Sequence, residues 1–191
     1  MTSNAPVMRA SYMRETAAAL TALGEQGEAA RVRCSAEIAR IHAASRLSFL
    51  PIADNLAILR AVEEVAGTHG LRAQGRTALL SASSSPLLRP IRDTALKLLA
   101  SPAGVFRWGP QAWNLVFRNC GTLTWSRESK SRDENSGSLV LSNIPSLLDC
   151  TAWAETSAGA FVGGFELAGA PLGTVDITRS PATFHFELRW P

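Results

Sequence analysis

The side chains best equipped for chemistry are three histidines, His42, His69 and His185, and three cysteines, Cys34, Cys120 and Cys150. A histidine could move protons or ligate a metal near neutral pH, and a thiolate could attack a carbonyl or bind zinc. Spacing supports neither use. No histidine shares a metal-site spacing with another histidine, a cysteine or a carboxylate. His185 alternates with Phe184 and Phe186 and so points away from the dry face of a strand. His42 closes a helix, where the dipole favours a cation, and His69 sits between glycines in a turn. The cysteines are odd in number and far apart, and each falls in an apolar stretch. That pattern reads as buried free thiols in a reducing compartment. The serines form no nucleophile elbow, and Glu63–Glu64 reads as a solvated helix face. No catalytic residue and no metal ligand is predicted. A hydrolase assembled from residues distant in sequence is the residual enzymatic alternative.

Binding has the better case. Trp113, Val116 and Phe117 make one apolar side of a helix, preceded by Arg107 and Trp108 and followed by Arg118 and Asn119. An aromatic body with one cation at a junction between layers can receive an anion or a ring. The plainer alternative is a rim that closes the core. Further on, Gly159 and Gly163 lie four residues apart on a predicted helix, with Phe161 between them and Gly164 adjacent. Each glycine costs about 1 kcal/mol of helix propensity against alanine, so several together imply a spatial demand. Close packing inside the fold is the first reading, and a ligand wall the second. The dinucleotide-binding spacing is absent. The predicted ligand-binding set is Arg107, Trp108, Trp113, Phe117, Gly159, Phe161 and Gly163.

These residues need a scaffold, and 191 residues with 46% hydrophobic and 18% charged content suffice for one domain with a real core. All five tryptophans lie in the second half and should anchor packing there, whereas the first half uses Ala, Leu and Ile. The net charge of +3 is scattered, which argues against a nucleic-acid partner. The longest apolar tract, Ala158 to Leu172, is interrupted by Glu166 and glycines and is too short and too charged to span a membrane. The N-terminus has no apolar core with a cleavage signal, so the expected location is cytoplasmic.

Helical spacing runs from Met8 through Tyr12, Thr16, Ala19 and Leu23. A second helix carries Cys34, Ile38 and Ile41, and a third opens at Pro51 with Ile52, Leu56, Leu59 and Val62 and ends at Gly67 and Gly70. Leu71 to Ala82 makes another, and Pro86 opens one with a Leu88, Ile91, Ala95, Leu98 stripe. Ser101–Pro102 reads as a break, Gly109–Pro110 as a helix start, and Gly121 as that helix's end. Then the period changes to two: Leu123/Trp125, Leu139/Leu141, Val175/Ile177 and Phe184/Phe186/Leu188/Trp190. These form two hairpins, the first with a long polar tip at Lys130 to Gly137 and the second turning near Ser180–Pro181. Between them lies the glycine-bearing helix, from Cys150 to Gly169, placed to cover the dry face. The fold class is α+β: an N-terminal helical layer (1–120) followed by a C-terminal ββαββ antiparallel sheet with its covering helix (121–191), in one integrated domain.

The segments Thr77-Ala78-Leu79-Leu80, Pro86-Leu87-Leu88-Arg89-Pro90 and Arg107-Trp108-Gly109-Pro110, with the closing run Phe184 to Trp190, resemble a family of uncharacterised bacterial proteins expanded in myxobacteria. That family is distantly similar to the sensor fold of haem–nitric-oxide-binding and vinyl-reductase-type small-molecule domains. The resemblance implies a helical part, a C-terminal antiparallel sheet and a ligand between them. The haem branch uses a proximal histidine before the sheet and a Tyr-x-Ser-x-Arg motif for the propionates. Here Leu71 to Gly121 has no histidine, and the single tyrosine, Tyr12, is followed by Met13 and Arg14. No cofactor is therefore expected. The combined reading is a non-enzymatic sensor-like or adaptor domain that binds a small apolar ligand or a partner protein. The alternative is a pocketless interaction domain, a homodimer joined through the Gly159/Gly163 surface or a sheet edge.

Overall fold

Alternation of apolar and polar residues builds the C-terminal half as the sequence suggests. The computed structural model describes residues 5–84, 101–127 and 135–191. The expected Pro86 helix and most of the Lys130 to Gly137 tip lie outside them. Element order is β1 (Val7–Arg9), α1 (Ala10–Ala18), α2 (Gly24–Arg33), α3 (Ser35–Ala43), β2 (Phe49–Pro51), α4 (Ile52–Ser83), α5 (Pro102–Arg107), α6 (Gly109–Val116), β3 (Phe117–Arg118), β4 (Thr122–Ser126), β5 (Ser136–Ser142), α7 (Thr151–Leu167), β6 (Thr174–Ser180) and β7 (Thr183–Arg189).

The four C-terminal strands form an antiparallel sheet in the order β4-β5-β7-β6. Its register stacks the apolar residues into rows. Leu123 pairs with Leu141 and Leu141 with Phe184; Trp125 pairs with Leu139, Leu139 with Phe186, and Phe186 with Ile177. Leu139, Leu141, Phe184, Phe186 and Leu188 are fully buried, whereas His185 and Glu187 face water. Each such buried side chain contributes roughly 1.5–3 kcal/mol. Trp190, just past β7, is half-buried and rests on Phe165, with ring centroids 5.9 Å apart. Gly137 has a specific role: a Cβ there would meet the Trp125 ring at 2.2 Å, so the indole lies across its bare Cα. Pro181 and Ala182 make the tight turn of the second hairpin, with Ala182 at φ +50°.

α7 packs between this sheet and α4. In the second half of α4, Leu71, Gln74, Gly75, Ala78 and Ala82 recur at helical spacing and are all buried. Gly67, with φ 60° and ψ −160°, breaks α4 into two helical stretches, so the expected end there is a change of direction. Arg72 reaches Glu155 at 2.5 Å and donates to the Val175 carbonyl at 3.2 Å; Arg76 grips Glu166 through both nitrogens. These contacts tie α4, α7 and β6 together.

The helical half contains a second sheet that the sequence reading lacks, three-stranded with order β2-β1-β3. Met8 begins no helix. It is buried in β1, and α1 starts at Ala10. Met8 pairs with Leu50 and Phe117, partners far away in sequence that local periodicity cannot reveal. Pro51 ends β2, and α4 begins one residue later. Ser101–Pro102 opens a helix as well as ending the preceding stretch: the Ser101 hydroxyl accepts from the Gly104 amide at 3.3 Å, and Pro102 occupies the first turn. α6 stops at Val116, and Phe117 turns into β3 well before Gly121.

Two expectations about individual residues change. Cys34 and Cys120 are buried, but Cys150 is only partly so, and all three are free. Not every tryptophan anchors the core, because Trp108 is 47% exposed. The cation at the end of α3 is Arg14, which donates to the carbonyls of His42 (2.9 Å) and Ala44 (2.6 Å), while the His42 side chain is exposed.

Candidate ligand-binding site

The chain reaches one apolar cavity from several elements, α4 through Leu79 and Ser83 and α5 through Val105 and Phe106 among them. α7 supplies Trp153, Thr156, Ser157, Ala160, Phe161, Gly164 and Leu167, a stripe at i, i+3, i+4, i+7 and beyond on one helix face. α6 and its flanks supply Trp108, Gly109, Gln111, Trp113, Val116 and Phe117. Met8 and Tyr12 close it from β1 and α1, and Leu123 and Leu139 from the sheet. The cavity, open at one side, has a volume of about 280 Å³. Exposed residues Trp108, Gln111, Ala112 and Leu115 stand at its mouth, and buried Trp113, Trp153, Leu123 and Leu139 form its depth.

Aromatic contacts set its walls. The Trp113 and Phe117 rings lie 4.1 Å apart at 34°, and Trp153 presents an edge contact to both, at 6.0 Å and 5.5 Å. Tyr12 adds an edge contact to Phe117 at 6.0 Å. On the far side, Phe106 packs against Phe165 (4.8 Å) and Phe161 (6.3 Å), and Phe161 against Phe186 (4.9 Å). Offset and edge arrangements of this kind hold rings in fixed positions.

The polar groups of the wall are few and neutral. Ser157 donates to the Trp153 carbonyl at 2.8 Å, and Ser83 to the Leu80 carbonyl at 2.7 Å. Burial, with a smaller contribution from Glu15, pushes the Tyr12 phenol far above its ordinary pKa, so it stays protonated. Among the described residues, no Arg, Lys, His, Asp or Glu lines the cavity. Among the described residues, no group of three or more His, Cys, Asp and Glu could hold a metal ion.

Of the predicted ligand-binding residues, the structure brings Trp108, Trp113, Phe117 and Phe161 to this cavity. Arg107 is exposed and lies outside the lining. Gly159 and Gly163 face away from it: a Cβ on Gly159 would meet the Arg72 carbonyl oxygen at 2.1 Å, and one on Gly163 the Arg76 carbonyl oxygen at 3.0 Å. Their bare surface is covered by α4, which makes them a helix crossing and leaves no face there for a second chain. The expected pairing of arginine with an aromatic ring occurs elsewhere. Arg118 lies 3.9 Å and Arg9 4.7 Å from the centre of the Phe49 ring, on the outside of the small sheet. The sequence reading missed Met8, Tyr12, Phe106, Trp153 and Thr156. Only Trp153 and Thr156 left a legible signal, the α7 face they share with Phe161.

No protein-family model and no curated protein matches the sequence. Solved structures do. The fold is similar to a mutant Fe(II) unliganded H-NOX protein from K. algicida, at TM-score 0.66 and 12% identity over 96% of this chain and 97% of that one. An oxygen-binding H-NOX domain related to soluble guanylate cyclases, solved as its oxygen complex, gives TM-score 0.60 and 10% identity over 95% and 93%. A structure describing modulation of haem redox potential through porphyrin distortion gives TM-score 0.60 and 10% identity over 96% and 100%. The chain therefore has an H-NOX-like α+β fold, as its segment order suggests.

The residues present do not fit a haem. No histidine or cysteine lines the cavity, and His42, His69 and His185 are all exposed away from it. Among the described residues, no cation lines the walls to meet the propionates.

Proposed function

We propose that this chain is a non-enzymatic, sensor-like domain that holds a small apolar molecule between α6, α7 and the sheet. The observation that carries this reading is the 280 Å³ cavity itself, walled by Trp113, Phe117, Trp153 and Phe161, with no charged side chain among its described lining residues. Its position matches the plan of the H-NOX-like fold, in which the helical part and the sheet meet around a central space. Apolar surface in such a space is removed from water when a ligand fills it, and affinity follows the buried area. A ligand there touches α6, α7 and β1 at once, so its arrival favours whichever packing of these elements fits it best. The exposed residues Trp108 and Leu115 at the mouth are where a partner would read that change.

The test uses Ala160, a small residue on the cavity face of α7. Native mass spectrometry of the purified chain is expected to reveal a co-purifying small molecule, or saturable one-to-one binding of a neutral fluorophore such as aminoanthracene. Ala160→Phe fills the space and is expected to abolish both while leaving the circular dichroism unchanged. A wild-type chain that carries nothing and binds no apolar probe would overturn the proposal.

A further inference from the structure

Four buried side-chain polar atoms among the described residues have no hydrogen-bond partner: Asn55 Oδ1, Gln74 Oε1, Trp153 Nε1 and Thr156 Oγ1. Buried polar groups are nearly always paired, so each exception asks for a partner. Asn55 and Gln74 lie away from the cavity, whereas Trp153 and Thr156 both line it. They stand three residues apart on α7, and so occupy the same helix face one turn apart. Trp153 is only 3% exposed, so bulk water does not serve its N–H. An indole N–H can only donate, and a threonine hydroxyl can donate as well.

We propose that the ligand is an apolar molecule carrying one neutral carbonyl oxygen, which accepts from Trp153 Nε1–H and Thr156 Oγ1–H at the α7 wall. This rests on the cavity being a ligand site. The charge of the walls decides the class of acceptor. Among the described lining residues, a carboxylate would find no Arg, Lys or His beside it, and an ammonium group no Asp or Glu. Ser157 is not available as a competing donor, because its hydroxyl already serves the Trp153 carbonyl. A single water could bridge the two donors but would fill only a small part of the space. A ketone, ester or lactone oxygen on a ring or chain satisfies the donors and the apolar walls together. A site built to donate to such an oxygen rejects an analogue that lacks it, since the donors are then left unpaired.

Fluorene and fluorenone have nearly the same shape and differ by one carbonyl oxygen, and calorimetric titration of the full chain with each reads the preference directly. Fluorenone is expected to bind at least about tenfold more tightly than fluorene. Thr156→Val keeps the shape of the side chain and is expected to lower that ratio several-fold. Trp153→Phe removes the other donor and is expected to bring the ratio near unity while fluorene still binds. Equal binding of the two probes to the wild type overturns the carbonyl assignment and leaves the apolar site standing. Tighter binding of the matched fluorene carboxylate also overturns it, in favour of an anion. Binding of none of the three sinks both readings.

Discussion

Gly75 of α4 lies directly against the backbone of Thr156 on α7: a Cβ placed on it would come within 2.1 Å of the Thr156 carbonyl oxygen. One helical turn away the relation is reversed, with Gly159 of α7 against the backbone of Arg72. The two helices thus touch backbone to backbone at a crossing made by glycines from both sides. The opposite face of α7 at the same level carries Thr156 and Ala160 into the cavity. The packing that fixes the fold therefore also fixes the height of the cavity wall.

Alanine at either glycine should separate these helices. An atom 2.1 Å from a backbone oxygen cannot be absorbed by a side-chain shift, and overpacking of this kind costs about 1–3 kcal/mol or more. Gly75→Ala and Gly159→Ala are each expected to lower the melting temperature by roughly 4–10 °C in a chain of this size. Gly163→Ala, whose nearest contact is 3.0 Å, should lower it less. Scanning calorimetry of the three variants checks the order, and a larger effect at Gly163 would contradict the crossing described.

The tight turn after β6 predicts the opposite sign. Ala182 holds φ +50°, a left-handed conformation that disfavours a Cβ by about 1–2 kcal/mol. Its carbonyl accepts from the Ile144 amide at 3.1 Å, so the turn is anchored to the connection before α7. Ala182→Gly relieves the conformation but gains entropy in the unfolded chain, and the net expectation is a gain of about 0.5 kcal/mol. Urea denaturation of the two proteins measures it, and a loss of stability would show the turn to be unstrained.

What the sequence made legible divides along the range of the contacts. Phe184, Phe186 and Leu188 declare a half-dry strand by alternation alone, because a strand's two faces are written into consecutive residues. The glycines of α7 declare a close approach but not its partner, since a bare Cα says nothing of what meets it; α4 is the answer, and Gly75 on α4 gave no warning of it. β1, β2 and β3 were illegible. Each has three residues or fewer, and their pairing joins Met8 to Leu50 and Phe117 across long stretches of chain. The same limit hid Met8 and Tyr12 from the candidate site, while Trp113, Phe117 and Phe161 showed as aromatic bulk near a junction. Charge beside an aromatic in sequence does not place Arg107 on a ring: it is exposed, and arginines lie over rings at Phe49 and Phe184 instead.

The Cys120 thiol makes stability depend on pH at the alkaline end. It is 1% exposed, and burial pushes its pKa up from 9.0 to about 11. The fold therefore prefers the neutral thiol more than the unfolded chain does. Its contribution is fully present below about pH 9 and is lost as pH rises through about 11. Tyr12, shifted the same way by burial, extends the effect to higher pH. Urea midpoints are expected to fall between pH 9 and 11, and to fall less steeply in Cys120→Ala. Identical slopes in the two proteins would remove the thiol as the cause.

Haem gives the sharpest separation between this chain and the solved structures it resembles. A neighbour in fold suggests that haemin added to the protein should bind, whereas the walls predict otherwise. Iron would find no histidine or cysteine, and among the described lining residues the propionates would meet Trp and Phe rings and no cation to pair them. Titration with haemin is therefore expected to give no stoichiometric shift of the Soret band, and no gain in melting temperature. Any adventitious haem on the surface should be stripped by excess serum albumin. A second test places a ligand where the wall could offer one. Ala160→His puts an imidazole on the cavity face of α7, and if missing ligation were the only obstacle it would confer a Soret complex. Continued failure of that variant would point to the lack of a cation among the described lining residues and to the limited volume as further barriers. A one-to-one haem complex of the wild type, surviving albumin, would refute the account of the walls given above.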